Sequence, residues 1–191
     1  MDSGASPLSV LLVTERSPWG TQACVLLSSL GAEVTHVPWS FGDDRAAVLD
    51  EFAEWHGDYI LAFKADIKLP QFVRDRAQAS VNFHPGPPWY RGMAAPERAI
   101  RNGDLVYGVT AHHMLEELDA GRIIDLHCFT VAPGTSISAL RARVGTEMLS
   151  QLVRVWTALG SRINEHWGSA RDHIWGSETL SLKEAKREGL L

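Results

Sequence analysis

Ser9-Val10-Leu11-Leu12-Val13 and Tyr59-Ile60-Leu61-Ala62-Phe63 are unbroken apolar runs. Short runs of this kind suit strands covered on both faces, the condition of a parallel sheet. The chain between them decides how they connect. Residues 14–21 carry Pro18 and Gly20 and read as a loop, and residues 22–30 read as a helix stopped by Gly31. Residues 33–37 alternate like a strand, and 45–55 has helical periodicity closed by Gly57. The order strand–helix–strand–helix–strand predicts right-handed crossovers. The fold class is therefore α/β, an open, mostly parallel, Rossmann-like sheet with helices on both faces.

The middle of the chain changes character. Residues 70–77 read as a short helix with proline near its start. Residues 80–83 form a strand that runs into His84-Pro85-Gly86-Pro87-Pro88-Trp89-Tyr90-Arg91-Gly92. The prolines lock φ and hold their predecessors extended, so this loop is rigid. A helix over 96–101, a strand over 106–114, a loop over 115–121 and a strand over 122–131 follow. Residues 136–159 make an amphipathic helix whose apolar face is Leu140, Val144, Met148, Leu152 and Trp156, and 182–190 a last helical stretch. The expected organisation is one domain over 1–160. Residues 161–191, with Trp167 and Trp175, form a C-terminal appendage packed on the same domain.

Composition excludes several classes. No apolar run approaches the roughly 20 residues needed to cross a bilayer, and Met1–Pro7 lacks a basic signal-peptide start, so a cytoplasmic location and no membrane partner are expected. The net charge is −5 with scattered basic residues, which argues against a nucleic-acid partner. Cys24 and Cys128 read as buried free thiols. No compact metal-ligand spacing occurs. His112 and His113 are adjacent, and strand neighbours face opposite sides, so no metal is expected.

Three polar residues stand where strands end. Asn82 and His84 share one strand face while Phe83 turns into the core, and Asp119 lies in a separate loop before Ala120-Gly121. In open α/β sheets ligands sit beyond the carboxyl ends of the strands. An amide, an imidazole and a carboxylate converging there would make an acyl-transfer site. Singly, each has a plainer reading as turn chemistry or a satisfied polar group.

The set Val81-Asn82-Phe83-His84-Pro85, Arg91-Gly92, Pro96, Ala99-Ile100, Asn102-Gly103-Asp104, Gly108-Val109-Thr110 and Leu118-Asp119-Ala120-Gly121 resembles the folate-dependent formyltransferase family. The resemblance implies the formyltransferase fold and 10-formyltetrahydrofolate as formyl donor. It also implies an amine of a small-molecule acceptor, amino sugar or amino-acid-like, and no metal. The amine attacks the formyl carbon directly, and the tetrahedral oxyanion needs preorganised donors. Asn82 would give an N–H, His84 a charged one if protonated, and Asp119 would raise the imidazole pKa and orient the ring. By the same resemblance the folate is held by Asp66, Ile67, Lys68, Leu69 and Val73 and by Leu115, Glu116 and Glu117, largely through backbone groups and apolar side chains.

The chain departs from the family at several points. Gly86-Pro87-Pro88 replaces the family's Ser-Leu-Leu-Pro stretch. That form is closer to hydrogenase-maturation proteins and some small-amine formyltransferases, and it leaves the acceptor open. Thr14-Glu15-Arg16-Ser17-Pro18 stands in place of a phosphate-gripping glycine–serine motif. No counterpart of the tRNA-binding domain of methionyl-tRNA formyltransferases, or of the second catalytic domain of hydrogenase-maturation proteins, is expected. The interval from Val13 to Tyr59 is short, an abbreviated N-terminal half, so the acceptor side would be open or completed by a partner chain, as in a homodimer. Two alternatives are a formyltetrahydrofolate hydrolase, with water as acceptor, and a folate-binding relative without catalysis.

Overall fold

The computed structural model describes residues 6–52, 54–160 and 173–191. Ala53, within the expected helix 45–55, lies outside the described residues, as do Met1–Ala5 and 161–172 with Trp167. The chain divides into two compact units, Met1–Val81 and Asn82–Leu191. Among the described residues no helix is long and apolar enough to cross a membrane.

In the first unit the elements are β1 (Ser9–Glu15), α1 (Pro18–Ser29), β2 (Glu33–Trp39), α2 (Arg45–Glu51), β3 (Gly57–Phe63), α3 (Gln71–Arg74) and the start of β4 (Ala77–His84). The strands lie in the order β2-β1-β3-β4. β1 is parallel to both neighbours, with Val10 opposite Val34 on one side and Tyr59 on the other. Val10, Leu12, Val13, Ile60, Leu61 and Phe63 are fully buried, as two-sided apolar runs require. Pro38 sits in β2, the terminal strand of this order, where a missing N–H costs least.

Residues 14–21, expected as a loop, lie mostly in regular structure. β1 continues through Thr14 and Glu15, and α1 begins at Pro18, four residues before the expected start at 22. Ser17 is the N-cap, its hydroxyl accepting from the Gly20 amide at 3.3 Å. Pro18 is the first helical residue, where its lacking N–H is harmless. A Cβ on Gly20 would come within 2.4 Å of Thr14 Oγ1, so Gly20 lets α1 lie close against β1. α2 ends at Glu51 rather than Trp55, and Gly57 opens β3.

In the second unit β4 continues through residues 82–84 and is followed by β5 (Arg91–Gly92), α4 (Ala95–Asn102), β6 (Val106–His113), β7 (Ile123–Thr130), α5 (Ile137–Gly160), β8 (Thr179–Leu180) and α6 (Leu182–Arg187). β6 lies between β4 and β7 and is antiparallel to β7. The register of that pair slips between Ala111 and His112, a bulge of the kind that re-aims a side chain. The buried face of α5 is Leu140, Val144, Met148, Leu152 and Trp156, with Gln151 fully buried among them. Its amide donates to the Val109 carbonyl at 3.1 Å and to Asp125 Oδ2 at 2.9 Å. β8 pairs in parallel with β5, Arg91 opposite Thr179 and Gly92 opposite Leu180. Cys128 is exposed and Cys24 half-buried. The expectation of two buried thiols fails because Cys128 falls on the outward side of β7, between the half-buried His127 and the buried Phe129.

Candidate active site

The rigid loop after His84 is pinned from β6. The Tyr107 hydroxyl donates to the Pro85 carbonyl at 2.7 Å, and Thr110 Oγ1 to the Gly86 carbonyl at 2.8 Å. Tyr90, further along, is clamped on every side. Its hydroxyl donates to Asp104 Oδ2 at 2.6 Å and accepts from Asn102 Nδ2 at 2.8 Å. Its ring stacks on Tyr107, and the Arg98 guanidinium lies 4.7 Å from its centroid. The Asn-Gly-Asp and Gly-Val-Thr segments thus act as struts for this loop. Gly86 is required by closeness, since a Cβ there would lie 2.7 Å from His84 Nε2.

Within the second unit Asn82, His84 and Asp119 come together, as their shared strand face and the loop position anticipate. Asp119 is buried with φ +45°, and its two oxygens have separate partners. Oδ2 accepts from the Gly92 amide at 2.7 Å and lies 3.3 Å from His84 Nδ1. Oδ1 lies 3.2 Å from His112 Nε2 and 3.4 Å from Asn82 Nδ2. Each imidazole is fixed by a backbone carbonyl at its other nitrogen. His84 Nε2 is 2.8 Å from the Tyr90 carbonyl, and His112 Nδ1 is 2.9 Å from the His113 carbonyl. A carbonyl only accepts, so these nitrogens carry the protons. In the neutral rings the basic nitrogens are then His84 Nδ1 and His112 Nε2, one per carboxylate oxygen. Asn82 Nδ2 donates to His112 Nε2 at 3.1 Å.

The electrostatics follow from burial and pairing. Burial pushes the Asp119 carboxyl up, but His84, both the hydrogen bond and the charge of His112, and the Gly92 amide outweigh it and hold it well below the usual carboxylate range. Burial lowers the His84 pKa, and the Asp119 charge and the Tyr90 carbonyl only partly restore it, with His112 and Arg98 adding to the lowering. The expectation that Asp119 raises the imidazole pKa holds for its own contribution, while the net direction is downward. The resting site is an ionised carboxylate facing a neutral His84 whose free lone pair points at it. A proton arriving at Nδ1 would complete an ion pair. Two imidazoles and a carboxylate are also metal-ligand types, yet among the described residues no group of three or more such side chains is placed to hold an ion.

Two members of the cluster escape a sequence reading. His112 enters by the β6 bulge, and the alternation that turned His112 and His113 to opposite faces was its only sequence signal. Trp175 comes from the segment before β8. Its ring meets His112 at 4.8 Å between centroids and His84 at 6.0 Å, both edge-to-face. Its Nε1 donates to the Gly121 carbonyl at 2.7 Å. Gly121 itself admits no side chain, because a Cβ would fall 1.8 Å from the His113 carbonyl oxygen. Arg91 is buried and braces the Asp119 loop, donating to the Leu118 carbonyl at 2.9 Å and to Glu117 Oε1 at 2.6 Å. A cleft of about 370 Å³ beside Trp175 is lined by Arg91, Gly121, Arg122 and Ile174.

The expected folate-contacting residues divide between the units. In the first, Ile67, Leu69 and Val73 are buried, Asp66 Oδ1 accepts from Trp39 Nε1 at 2.6 Å, and the Lys68 carbonyl accepts from Arg45 at 2.6 Å. In the second, Leu115, Glu116 and Glu117 are exposed on the loop before Asp119, with Glu117 held by Arg91.

The chain is similar to known proteins. The phosphoribosylglycinamide formyltransferase of Escherichia coli is 34% identical over 114 residues, covering 58% of this chain and 53% of its own length. A methionyl-tRNA formyltransferase of Nitratidesulfovibrio vulgaris is 36% identical over 89 residues, covering 46% of this chain and 26% of its own length. The chain thus spans about half or less of these relatives. Among solved structures, HypX of Aquifex aeolicus aligns with TM-score 0.74 and 22% identity over 92% of this chain and 30% of its own. A likely sugar N-formyltransferase of Mycobacterium tuberculosis has the same TM-score and identity, over 94% of this chain and 78% of its own. These alignments identify the fold as that of the formyltransferases, a mostly parallel, open sheet with helices. Residues 42–156, more than half of the sequence and including every residue of the Asn82–His84–Asp119 cluster, match the Formyl transferase family, and the chain belongs to it.

Proposed function

We propose that this protein transfers a formyl group from 10-formyltetrahydrofolate to the amine of a small-molecule acceptor, an amino sugar or an amino-acid-like amine, with Asn82, His84 and Asp119 as its catalytic residues. The observation that carries the reading is the buried Asp119 carboxylate, held ionised with one imidazole at each oxygen and the Asn82 amide alongside. Attack by the amine forms a C–N bond and places negative charge on the formyl oxygen, which the Asn82 amide N–H stabilises. Neutral His84 takes the proton that the amine must lose, and Asp119 stabilises the resulting imidazolium. Collapse breaks the bond from carbon to N10, and the same proton passes to N10 as tetrahydrofolate leaves. The exchange needs no net proton, no covalent enzyme intermediate and no metal. Backbone and apolar groups of Asp66, Ile67, Lys68, Leu69, Val73, Leu115, Glu116 and Glu117 are assigned to the folate.

The acceptor class draws on neighbours. The PseJ formyltransferase of Anoxybacillus kamchatkensis was solved with a UDP-linked formamido sugar and tetrahydrofolate, and a Helicobacter canadensis N-formyltransferase with folinic acid and dTDP-3-aminofucose. The net charge of −5 disfavours a tRNA acceptor. The test is calorimetry with 5-formyltetrahydrofolate, then turnover of 10-formyltetrahydrofolate with a panel of amines. Micromolar binding, about −8 kcal/mol, with tetrahydrofolate released only when an amine is present, is the expected result. Formate release without amine identifies a hydrolase instead, and no folate binding at saturating protein ends the formyl-transfer reading.

A further inference from the structure

The rings of His84 and His112 are each bonded at one nitrogen to a carbonyl, and His112 Nε2 also accepts from Asn82, but in-plane bonds of this kind resist tilting of a ring only weakly. The faces of both rings meet the indole of Trp175, set edge-to-face at 4.8 Å from His112 and 6.0 Å from His84. The indole is fixed in turn. Its N–H is spent on the Gly121 carbonyl at 2.7 Å, the Gly176 amide donates to the Pro88 carbonyl at 3.0 Å, and Arg91 Nη1 donates to the Gly176 carbonyl at 3.2 Å. Downstream, the Leu180 carbonyl accepts from the Met93 amide at 2.8 Å, in the same ladder where Gly92 offers its own amide to Asp119. The segment from Trp175 to Leu180 is therefore bonded to the loop after His84 on one side and to the loop after Asp119 on the other. Trp175 also lines the cleft of about 370 Å³, whose lining includes neither His84 nor His112.

We infer that Trp175 is a positioning residue of the active site: its indole holds His84 and His112 aimed at the two oxygens of Asp119 and keeps water from them. This rests on the formyl-transfer reading for its catalytic consequence but not for its physical one. The groups facing His84 are Asp119 from the loop after β6, His112 from β6, Arg98 from α4 and the Tyr90 carbonyl. Cutting back the indole removes none of these charged or polar groups. Trp175→Leu admits water to His84, relieving the burial that depresses its proton affinity. Trp175→Phe keeps an aromatic edge and most of the volume and loses only the bond to Gly121.

The test is histidine ring NMR on the full chain, with His84 and His112 signals assigned through His84→Gln and His112→Gln. In the wild type His84 is expected to titrate below the ordinary value of about 6.5. In Trp175→Leu its midpoint should move up by roughly half a pH unit or more, while Trp175→Phe stays with the wild type. With the amine that turns over best, Trp175→Leu should lower kcat about tenfold or more and leave KM for 10-formyltetrahydrofolate within about twofold. If Trp175→Leu does not fold, the wild type still decides: the indole N–H signal lost in Trp175→Phe should titrate with His84 and cease to do so in His84→Gln. A His84 midpoint unchanged in folded Trp175→Leu, or an indole signal indifferent to both histidines, overturns the inference. Because the NMR readouts need no formyl donor, they stand or fall separately from turnover.

Discussion

At the scale of single residues, the site is a contest between burial and pairing over one proton. Burial wins at His84 and pairing wins at Asp119, which leaves the imidazole neutral beside an ionised carboxylate. His84→Ala and Asp119→Asn are each expected to lower turnover by about a hundredfold or more, the usual scale for such groups, measured as initial rates with the best amine. The pH profile separates their roles. The rate should fall on the acid side as His84 becomes protonated. Asp119→Asn removes a charge that favours the imidazolium, so the residual activity of that variant should show its acid limb displaced to lower pH. A limb that stays in place would mean that some other group sets it. Asn82, His84 and Asp119 were legible in the sequence because two share a strand face and the third lies in a loop at a strand end. His112 was not, because a histidine beside a histidine on a strand carries no sign of a bulge.

At the scale of elements, legibility follows the length of the signal. β1, β3 and α5 are long, apolar or periodic, and their cores were readable residue by residue. The start of α1 was misread because Pro18 and Gly20 look like loop formers. Proline is equally at home in the first helical position, and Gly20 is there for the closeness of Thr14. That reading has a consequence for stability: Ser17→Ala removes the cap and should cost about 1 kcal/mol, seen as a lower midpoint in urea with an unchanged slope. The pairing of β5 with β8 was invisible, since a two-residue ladder leaves no periodicity. It depends on Gly92, whose φ is +76° and whose Cβ would lie 2.2 Å from the Leu180 carbonyl oxygen. Gly92→Ala should therefore dislodge β8, exposing the amides of residues 179–180 to rapid hydrogen exchange while those of β1 and β3 remain protected. Equal protection in the variant would show that the ladder does not depend on that glycine.

At the scale of the whole molecule, the same buried groups tie stability to pH. His84 binds a proton less readily folded than unfolded, so the unfolded chain gains protons first as pH falls below about 6.5, and stability declines there. Asp119 has its folded pKa depressed. Its contribution is complete above the unfolded value of about 3.9 and is lost as pH falls towards the folded one. Acid denaturation should show both windows in a series of urea melts. His84→Gln makes the upper window shallower, leaving the share of His36 and His113, whose burial also lowers their proton affinity, and Asp119→Asn removes the lower while steepening the upper, since His84 then loses the charge that favours its protonation. Curves for both variants parallel to the wild type would show that neither group is coupled to folding.

The contact between Trp175 and the two histidines also sets an order of events at the ribosome. Every strand of the first unit, β4, β6, β7 and α5 have been made before residue 175 is added, and domains generally begin to fold as they emerge. The sheet can thus form around a carboxylate and two imidazoles before the segment that carries Trp175 is made. A chain interrupted between residues 160 and 175 would keep β1–β7, α5 and all three residues of the Asn82–His84–Asp119 cluster, yet lack the indole that packs on His84 and His112. These elements are therefore complete before the indole that packs on the two imidazoles exists.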